Sequence, residues 1–409
     1  MIYVHIVGEA AMPLWGLDAT TRVARQLRQF TAFERLDELP SSALEHPLLV
    51  VHASYLFEPR TLRGLHDAGV GHALRASEDG GLAAALVAGD DAARGHAAIV
   101  EQQVEGLSVL ETSDLNAFDG MLRKAEPPLL AKVDATSRDR LESVLYGNAY
   151  KGITDLVTKW WWPRPARVVV GWCARAGITP NMVTLTGFAL MLASCWWFYQ
   201  GQYALGLISG WIMTFLDTVD GKLARVTIQS SKFGHALDHG MDIIHPPFWY
   251  VFWGMSLAGV VAEPLWGVSL ATWNLWVVLG YVGGRIAEGL FDLIGECSLF
   301  AWRPFDAYNR LITARRNPSL ILLSAAVLVQ RPDWGFYAVV LWTLASTALL
   351  FARLGQAVWS RSRHGPLRSW LADPTRAAAT HPQAFRRFSG TRSAYGDAQH
   401  DADSAAPAP

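Results

Sequence analysis

The chain has 409 residues, about half of them hydrophobic, with only 17% charged and a formal net charge of -1. That length accommodates two domains. The near-neutral balance, with no basic block, leaves no case for a nucleic-acid partner. Cys173, Cys195 and Cys297 are too dispersed for a disulfide framework or a zinc cluster and are expected to be packing residues.

The N-terminus, MIYVHIVGEA, has no basic leader and too short an apolar core for a signal peptide, so the first domain is expected in the cytoplasm. Residues 1–7 and 48–52 read as short buried strands, 19–30 as an amphipathic helix capped by Asp18, and 107–110 as a further strand. The segment 1–135 is thus expected to be a small α/β domain. Residues 136–175 form a linker that includes KWWWPRPAR (159–167), an aromatic and cationic stretch suited to the headgroup layer.

From 176 to 216 no Asp, Glu, Lys or Arg occurs in 41 residues. A membrane-spanning helix needs roughly 20 apolar residues, so this run fits two spans with a turn at Gln200-Gly201-Gln202. Further spans are predicted at 243–262, 264–284 and 334–352. The short apolar stretch 318–329 spans only if its helix begins earlier or the bilayer is thin there. Lys and Arg gather on one side of this series (Arg167, Arg175, Lys222, Lys232, Arg303, Arg353, Arg361), whereas the opposite turns carry only Arg331. Six spans with both termini cytoplasmic satisfy that asymmetry. The predicted fold is therefore mainly α: a six-helix transmembrane bundle over 176–359 preceded by the cytoplasmic α/β domain. Residues 360–409, rich in Ala, Ser, Asp and Pro towards the end, are expected to be a disordered tail.

Between the second and third spans stands DTVDGKLARVTIQSSKFGHALDHGMD, residues 217–242. Asp217 and Asp220 are three apart, Asp238 and Asp242 four apart, so each pair shares a helix face. If the two helix ends meet, four carboxylates converge and repel unless cations intervene. Oxygen-only donors suit Mg2+ or Mn2+ better than zinc, and two such ions form a clamp for phosphoryl transfer. Gly221 and Gly234 leave room for a flat base, and Arg225 offers a planar fork to a phosphate. His235, His239 and His245 are expected as hydrogen-bonding neighbours rather than ligands. A plainer reading has the acids capping helices and pairing with Lys222, Arg225 and Lys232. Another makes them a cation site in a non-enzymatic transporter or scaffold, although no repeated half is visible.

The spacing D-x2-D-G-x2-A-R-x8-G-x3-D-x3-D, filled by Asp217, Asp220, Gly221, Ala224, Arg225, Gly234, Asp238 and Asp242, resembles the signature of the CDP-alcohol phosphatidyltransferase family. ITPNMVTLTG (178–187) is similar to that family's entry into its first membrane helix, and the resemblance covers roughly 151–359. It implies an integral-membrane enzyme of phospholipid synthesis that cleaves a CDP-linked substrate, CDP-diacylglycerol foremost, releases CMP and joins the phosphatidyl group to an alcohol acceptor. It further implies two Mg2+ or Mn2+ ions on Asp217, Asp220, Asp238 and Asp242, with Asp242 also the base on the acceptor hydroxyl. Gly221, Ala224, Arg225 and Gly234 would border the nucleotide, approached by Asn181 and Thr184. Arg285, Arg315 and Arg316 are candidates for an anionic acceptor, a solvated loop being the plainer reading. Membrane lipids, a homodimer and a bacterial inner membrane complete the expectation. The first domain faintly resembles a nucleotidyltransferase, but no Gly-rich loop precedes Pro13 and His52-Ala53-Ser54 stands where that fold offers a metal-binding aspartate. It is read as degenerate and non-catalytic.

Overall fold

The computed structural model describes residues 1–390 apart from 10, 11, 41, 230 and 231, and describes 232, 233 and 235–239 in backbone only. The chain divides into two units. One comprises 1–119, 125–149 and 225–229; the other comprises 120–124, 150–224 and the chain from 230 onward.

The first unit is built on a mixed six-stranded sheet. Its strands lie in the order Phe33–Leu36, Ile2–Val7, Leu48–His52, Leu82–Val87, His72–Arg75, Ser108–Leu110. The first three are parallel, Leu82–Val87 runs against both of its neighbours, and the last strand is parallel to His72–Arg75. Both faces are covered, so the central strands are apolar throughout: Leu82–Val87 is buried at every position. The expected strands at 1–7, 48–52 and 107–110 form as read. The expected helix forms over Ala19–Leu27, with the Asp18 carboxylate accepting from the Thr21 amide at 2.8 Å. The sequence reading passed over Leu82–Val87 and the helices Pro59–Ala68 and Ala92–Val100.

The second unit is helical. Its first long helix, Pro180–Tyr199, starts where Gly177 turns left-handed (φ +69°) and ends the preceding helix. Thr179 then caps the new helix, and Pro180 occupies a first-turn position that needs no amide donor. The second helix, Tyr203–Val226, follows the expected turn at Gln200-Gly201-Gln202. The third, Lys232–Ser256, holds Pro246 and Pro247 in its interior. The fourth is Leu270–Ile294, the fifth Arg316–Leu328 and the sixth Pro332–His364.

The apolar core joining these helices is aromatic, with Phe198, Trp249, Trp253, Trp273 and Phe336 fully buried. The indole N–H groups find carbonyls across the helices: Trp249 donates to Met191 at 3.2 Å and Trp253 to Pro332 at 3.0 Å. The fourth and sixth helices approach closely because Gly280, Gly283 and Gly284 face Thr343 and Thr347, and the Thr347 hydroxyl donates to the Gly280 carbonyl at 2.6 Å. Large apolar side chains such as Leu192, Ile208, Leu279, Leu293 and Phe351 point outward. Pro180–Tyr199 and Pro332–His364 are each long and apolar enough to cross a membrane. At 1.5 Å per residue the fifth helix reaches only about 20 Å, since it holds 13 residues.

Two expectations are corrected. The fourth helix begins at Leu270, not at Pro264, because Pro264 to Gly267 form a tight turn with Trp266 and Gly267 both at positive φ. The expected disordered tail is ordered at least to Gly390: the sixth helix runs on to His364, and short helices follow at Pro374–Thr380 and Pro382–Phe388. Buried Leu367, Leu371, Ala377 and Phe388 tie this segment down, a tertiary burial that its polar composition conceals. Residues 391–409 lie outside the described residues.

Candidate active site

Asp217 and Asp220 lie in the last turns of the second helix, and Asp242 lies in the first half of the third. Arg316, the first residue of the fifth helix, joins two of these acids. Its Nη2 donates to Asp217 Oδ2 at 2.6 Å and its Nη1 to Asp242 Oδ1 at 2.7 Å. Carboxylates from two different helices thus converge on a single positive charge. The Asp242 backbone carbonyl is itself fixed, accepting from the Tyr281 hydroxyl at 3.1 Å.

Asp220 faces the first helix instead. The Thr184 hydroxyl lies 2.6 Å from Asp220 Oδ2, and both residues are buried. A hydroxyl that gives its proton to one carboxylate oxygen fixes that group's rotamer. Thr184, expected near a nucleotide, therefore orients an acid.

The side chain of Asp238 lies outside the described residues, as do those of His235 and His239. Among the described residues no three His, Cys, Asp or Glu side chains gather as a metal cluster. His245 is buried, donates from Nδ1 to the Met241 carbonyl at 2.5 Å, and packs edge-on against Trp249. Gly221, Ala224 and Gly234 all lie within helices; Asn181 is in the first turn of the first helix. Arg225 closes the second helix and donates to the Ala149 carbonyl at 3.2 Å.

Of the three arginines expected at an acceptor, Arg285 and Arg315 share Glu288, each on one carboxylate oxygen. Glu296 lies beyond the end of the fourth helix and pairs with Arg368 at 3.3 Å. The sequence reading also missed Asp155. This buried acid accepts from Asn317 Nδ2 at 2.9 Å and from the Thr158 hydroxyl at 2.9 Å. Burial opposes its charge, but the Arg310 guanidinium, Asn317 and Thr158 outweigh it and hold the carboxyl below its ordinary range.

The oxygen-only character of Asp217, Asp220 and Asp242 fits a hard divalent ion, and the first and last already hold a cation in common.

A family model described as CDP-alcohol phosphatidyltransferase matches residues 177–287. The chain is 39% identical over 100 residues to the archaetidylinositol phosphate synthase of Pyrococcus horikoshii, covering 24% of this chain and 50% of that protein. It is 32% identical over 206 residues to choline/ethanolaminephosphotransferase 1 of Arabidopsis thaliana, covering 41% of this chain and 51% of that one. The chain spans about half the length of these curated relatives. A solved phosphatidylinositol phosphate synthase of Mycobacterium tuberculosis, in complex with manganese and citrate, overlaps 46% of this chain and 88% of that one at 16% identity and a TM-score of 0.33. Over residues 177–287, and there with the acidic motif included, the chain is thus similar to the CDP-alcohol phosphatidyltransferase family.

Proposed function

We propose that the helical unit is a metal-dependent membrane phosphotransferase of phospholipid synthesis. It cleaves a CDP-linked substrate, CDP-diacylglycerol foremost, releases CMP and transfers the phosphatidyl group to an alcohol. The observation that carries this reading is the meeting of Asp217 and Asp242 on one cation, within the segment that matches the family.

Asp217, Asp220, Asp238 and Asp242 would hold two Mg2+ or Mn2+ ions, which neutralise charge on the attacking and leaving oxygens when bound. Thr184 holds the Asp220 carboxylate in its rotamer. Arg316 then gives up its place between Asp217 and Asp242, freeing a planar donor fork at the site. Asp242 accepts the proton of the acceptor hydroxyl, since an alcohol attacking phosphorus must shed it. Gly221, Ala224, Gly234 and Arg225 border the nucleotide with Asn181 nearby, and Arg285 and Arg315 face the acceptor.

The six helices span the membrane with both termini cytoplasmic, in a bacterial inner membrane and as a homodimer. The outward apolar side chains of the helices support this placement. The first unit serves regulation or docking as a non-catalytic relative of nucleotidyltransferases, since His52 and Ser54 hydrogen-bond each other where an acid would be needed.

The purified chain, given CDP-diacylglycerol and a panel of alcohols, is expected to release CMP only with Mg2+ or Mn2+. Asp242→Asn should lower the rate by about 100- to 10,000-fold, the usual contribution of a general base. Unchanged CMP release in Asp242→Asn and Asp217→Ala, or metal-coupled ion flux in liposomes without any CMP, would defeat the reading in favour of a non-enzymatic cation site.

A further inference from the structure

The third helix breaks its own hydrogen-bond ladder at the acidic motif. In an α-helix the carbonyl of each residue accepts from the amide four residues further on. For Asp242 and Ile243 those positions are Pro246 and Pro247, which carry no amide hydrogen. A proline ring also presses on the carbonyl four residues back, and for Pro246 that carbonyl is Asp242's. A bare carbonyl is costly in an apolar bundle, and interior prolines persist where a neighbouring helix supplies the missing donor.

The fourth helix supplies it. The Tyr281 hydroxyl donates to the Asp242 carbonyl at 3.1 Å, and Tyr281 is buried. Tyr281 is itself firmly seated. The carbonyl of the preceding residue, Gly280, accepts from the Thr347 hydroxyl at 2.6 Å, and Gly283 and Gly284 face Thr347 as well. The sixth helix therefore holds one side of the fourth while Tyr281 reaches the third from the other. Beside the break, His245 donates from its ring to the Met241 carbonyl at 2.5 Å. Two successive carbonyls, of Met241 and Asp242, are thus held by side chains, and the turn that carries the Asp242 carboxylate is braced from outside the helical ladder.

We propose that Tyr281 is a positioning residue for Asp242: its hydroxyl stands in for the amide that Pro246 lacks and so sets where the Asp242 carboxylate lies. A helix released at this carbonyl bends at the proline pair. Such a bend displaces the Asp242 carboxylate from Asp217, its counterpart across Arg316. Neither Pro246 nor Tyr281 belongs to the acidic signature, so the motif alone does not assemble the site. The effect on metal and catalysis rests on the phosphotransferase reading; the exchange of a hydroxyl for an amide does not. A tyrosine that merely satisfied its own buried hydroxyl would matter equally whatever residue stood at 246.

The last distinction is a double-mutant cycle. The full chain in phosphatidylcholine nanodiscs is prepared as wild type, Tyr281→Phe, Pro246→Ala and the double variant. Tyr203→Phe is the control: it removes a hydroxyl contact of 2.9 Å to Ser256, at the far end of the same third helix. Mn2+ affinity is read by electron paramagnetic resonance, CMP release from CDP-diacylglycerol gives kcat and KM, and thermal aggregation midpoints are taken without metal. Tyr281→Phe is expected to weaken Mn2+ binding about 10- to 100-fold, the usual effect of losing a partner that orients a metal-binding group. It should also lower kcat with KM for CDP-diacylglycerol unchanged. In the Pro246→Ala background the same replacement should change neither, because residue 246 then carries an amide. Tyr203→Phe should leave Mn2+ affinity at the wild-type value.

Wild-type Mn2+ affinity and kcat in folded Tyr281→Phe would overturn the proposal, as would an equal loss with and without Pro246. If Pro246→Ala misfolds, the comparison of Tyr281→Phe with Tyr203→Phe decides, and equal losses in both defeat the positioning role. A chain that binds no Mn2+ and releases no CMP would refute the reaction and with it the positioning role. A midpoint lowered by Tyr281→Phe only when Pro246 is present would then leave the exchange of hydroxyl for amide standing alone.

Discussion

Thr184 shows how a single hydroxyl bears on the proposed chemistry. A hydrogen bond to a charged carboxylate contributes about 1.5–3 kcal/mol, and partners that orient metal-binding groups typically govern affinity by about 10- to 100-fold. Thr184 gives its proton to Asp220 in a buried setting, so Thr184→Val removes the bond while keeping the shape. We expect Mn2+ affinity, read from the free-ion signal in electron paramagnetic resonance, to fall 10- to 100-fold in Thr184→Val and to recover in Thr184→Ser. Equal affinity in all three proteins would remove Thr184 from the site. The residue types of the acidic motif were legible in the sequence because carboxylates beside long uncharged runs stand out. That Arg316 binds Asp217 and Asp242 was not legible, because 99 residues separate Arg316 from Asp217 and only the packing of three helices brings them together.

At the scale of elements, the first two long helices could be read almost to their ends because an uncharged run and a Gly turn delimit them. Leu82–Val87 could not. Its sequence LAAALV is rich in alanine, the strongest helix former, and only the neighbouring strands on both sides make it a strand. Pro382–Phe388 escaped for the opposite reason: its polar composition hides the one aromatic ring that anchors it. Gly152 is the joint of that anchorage, and its lack of a side chain is required by space: a Cβ there would lie 2.2 Å from the Phe388 carbonyl oxygen and 2.6 Å from that of Arg123. Overpacking of this kind costs about 1–3 kcal/mol. Gly152→Ala is therefore expected to lower the thermal aggregation midpoint in detergent by several degrees. Gly355→Ala, with nothing within 4 Å of the added methyl, should leave it unchanged or raise it slightly. Indistinguishable midpoints for the two variants would show that this close contact does not anchor the segment.

For the whole molecule, the six-span proposal orders the connections strictly. Gln202 and Glu263 fall on one side of the membrane and Ser362 on the other. Single cysteines at these positions, in a chain whose Cys173, Cys195 and Cys297 are replaced by Ala, should divide accordingly when labelled with a membrane-impermeant maleimide in right-side-out vesicles. Labelling of Gln202→Cys and Ser362→Cys from the same face would break the topology. The fifth helix is the weak point, being about 20 Å long with 13 residues, so the membrane must thin around it or Arg315 and Arg316 must lie below the headgroups. The pairing of Arg316 with Asp217 and Asp242 bears on biogenesis as well. Helices that meet through bare carboxylates would have to wait for a divalent ion before they could assemble. On the proposed reading, the fifth helix would supply the counter-charge itself, letting the chain complete its architecture first and take up its metal afterwards.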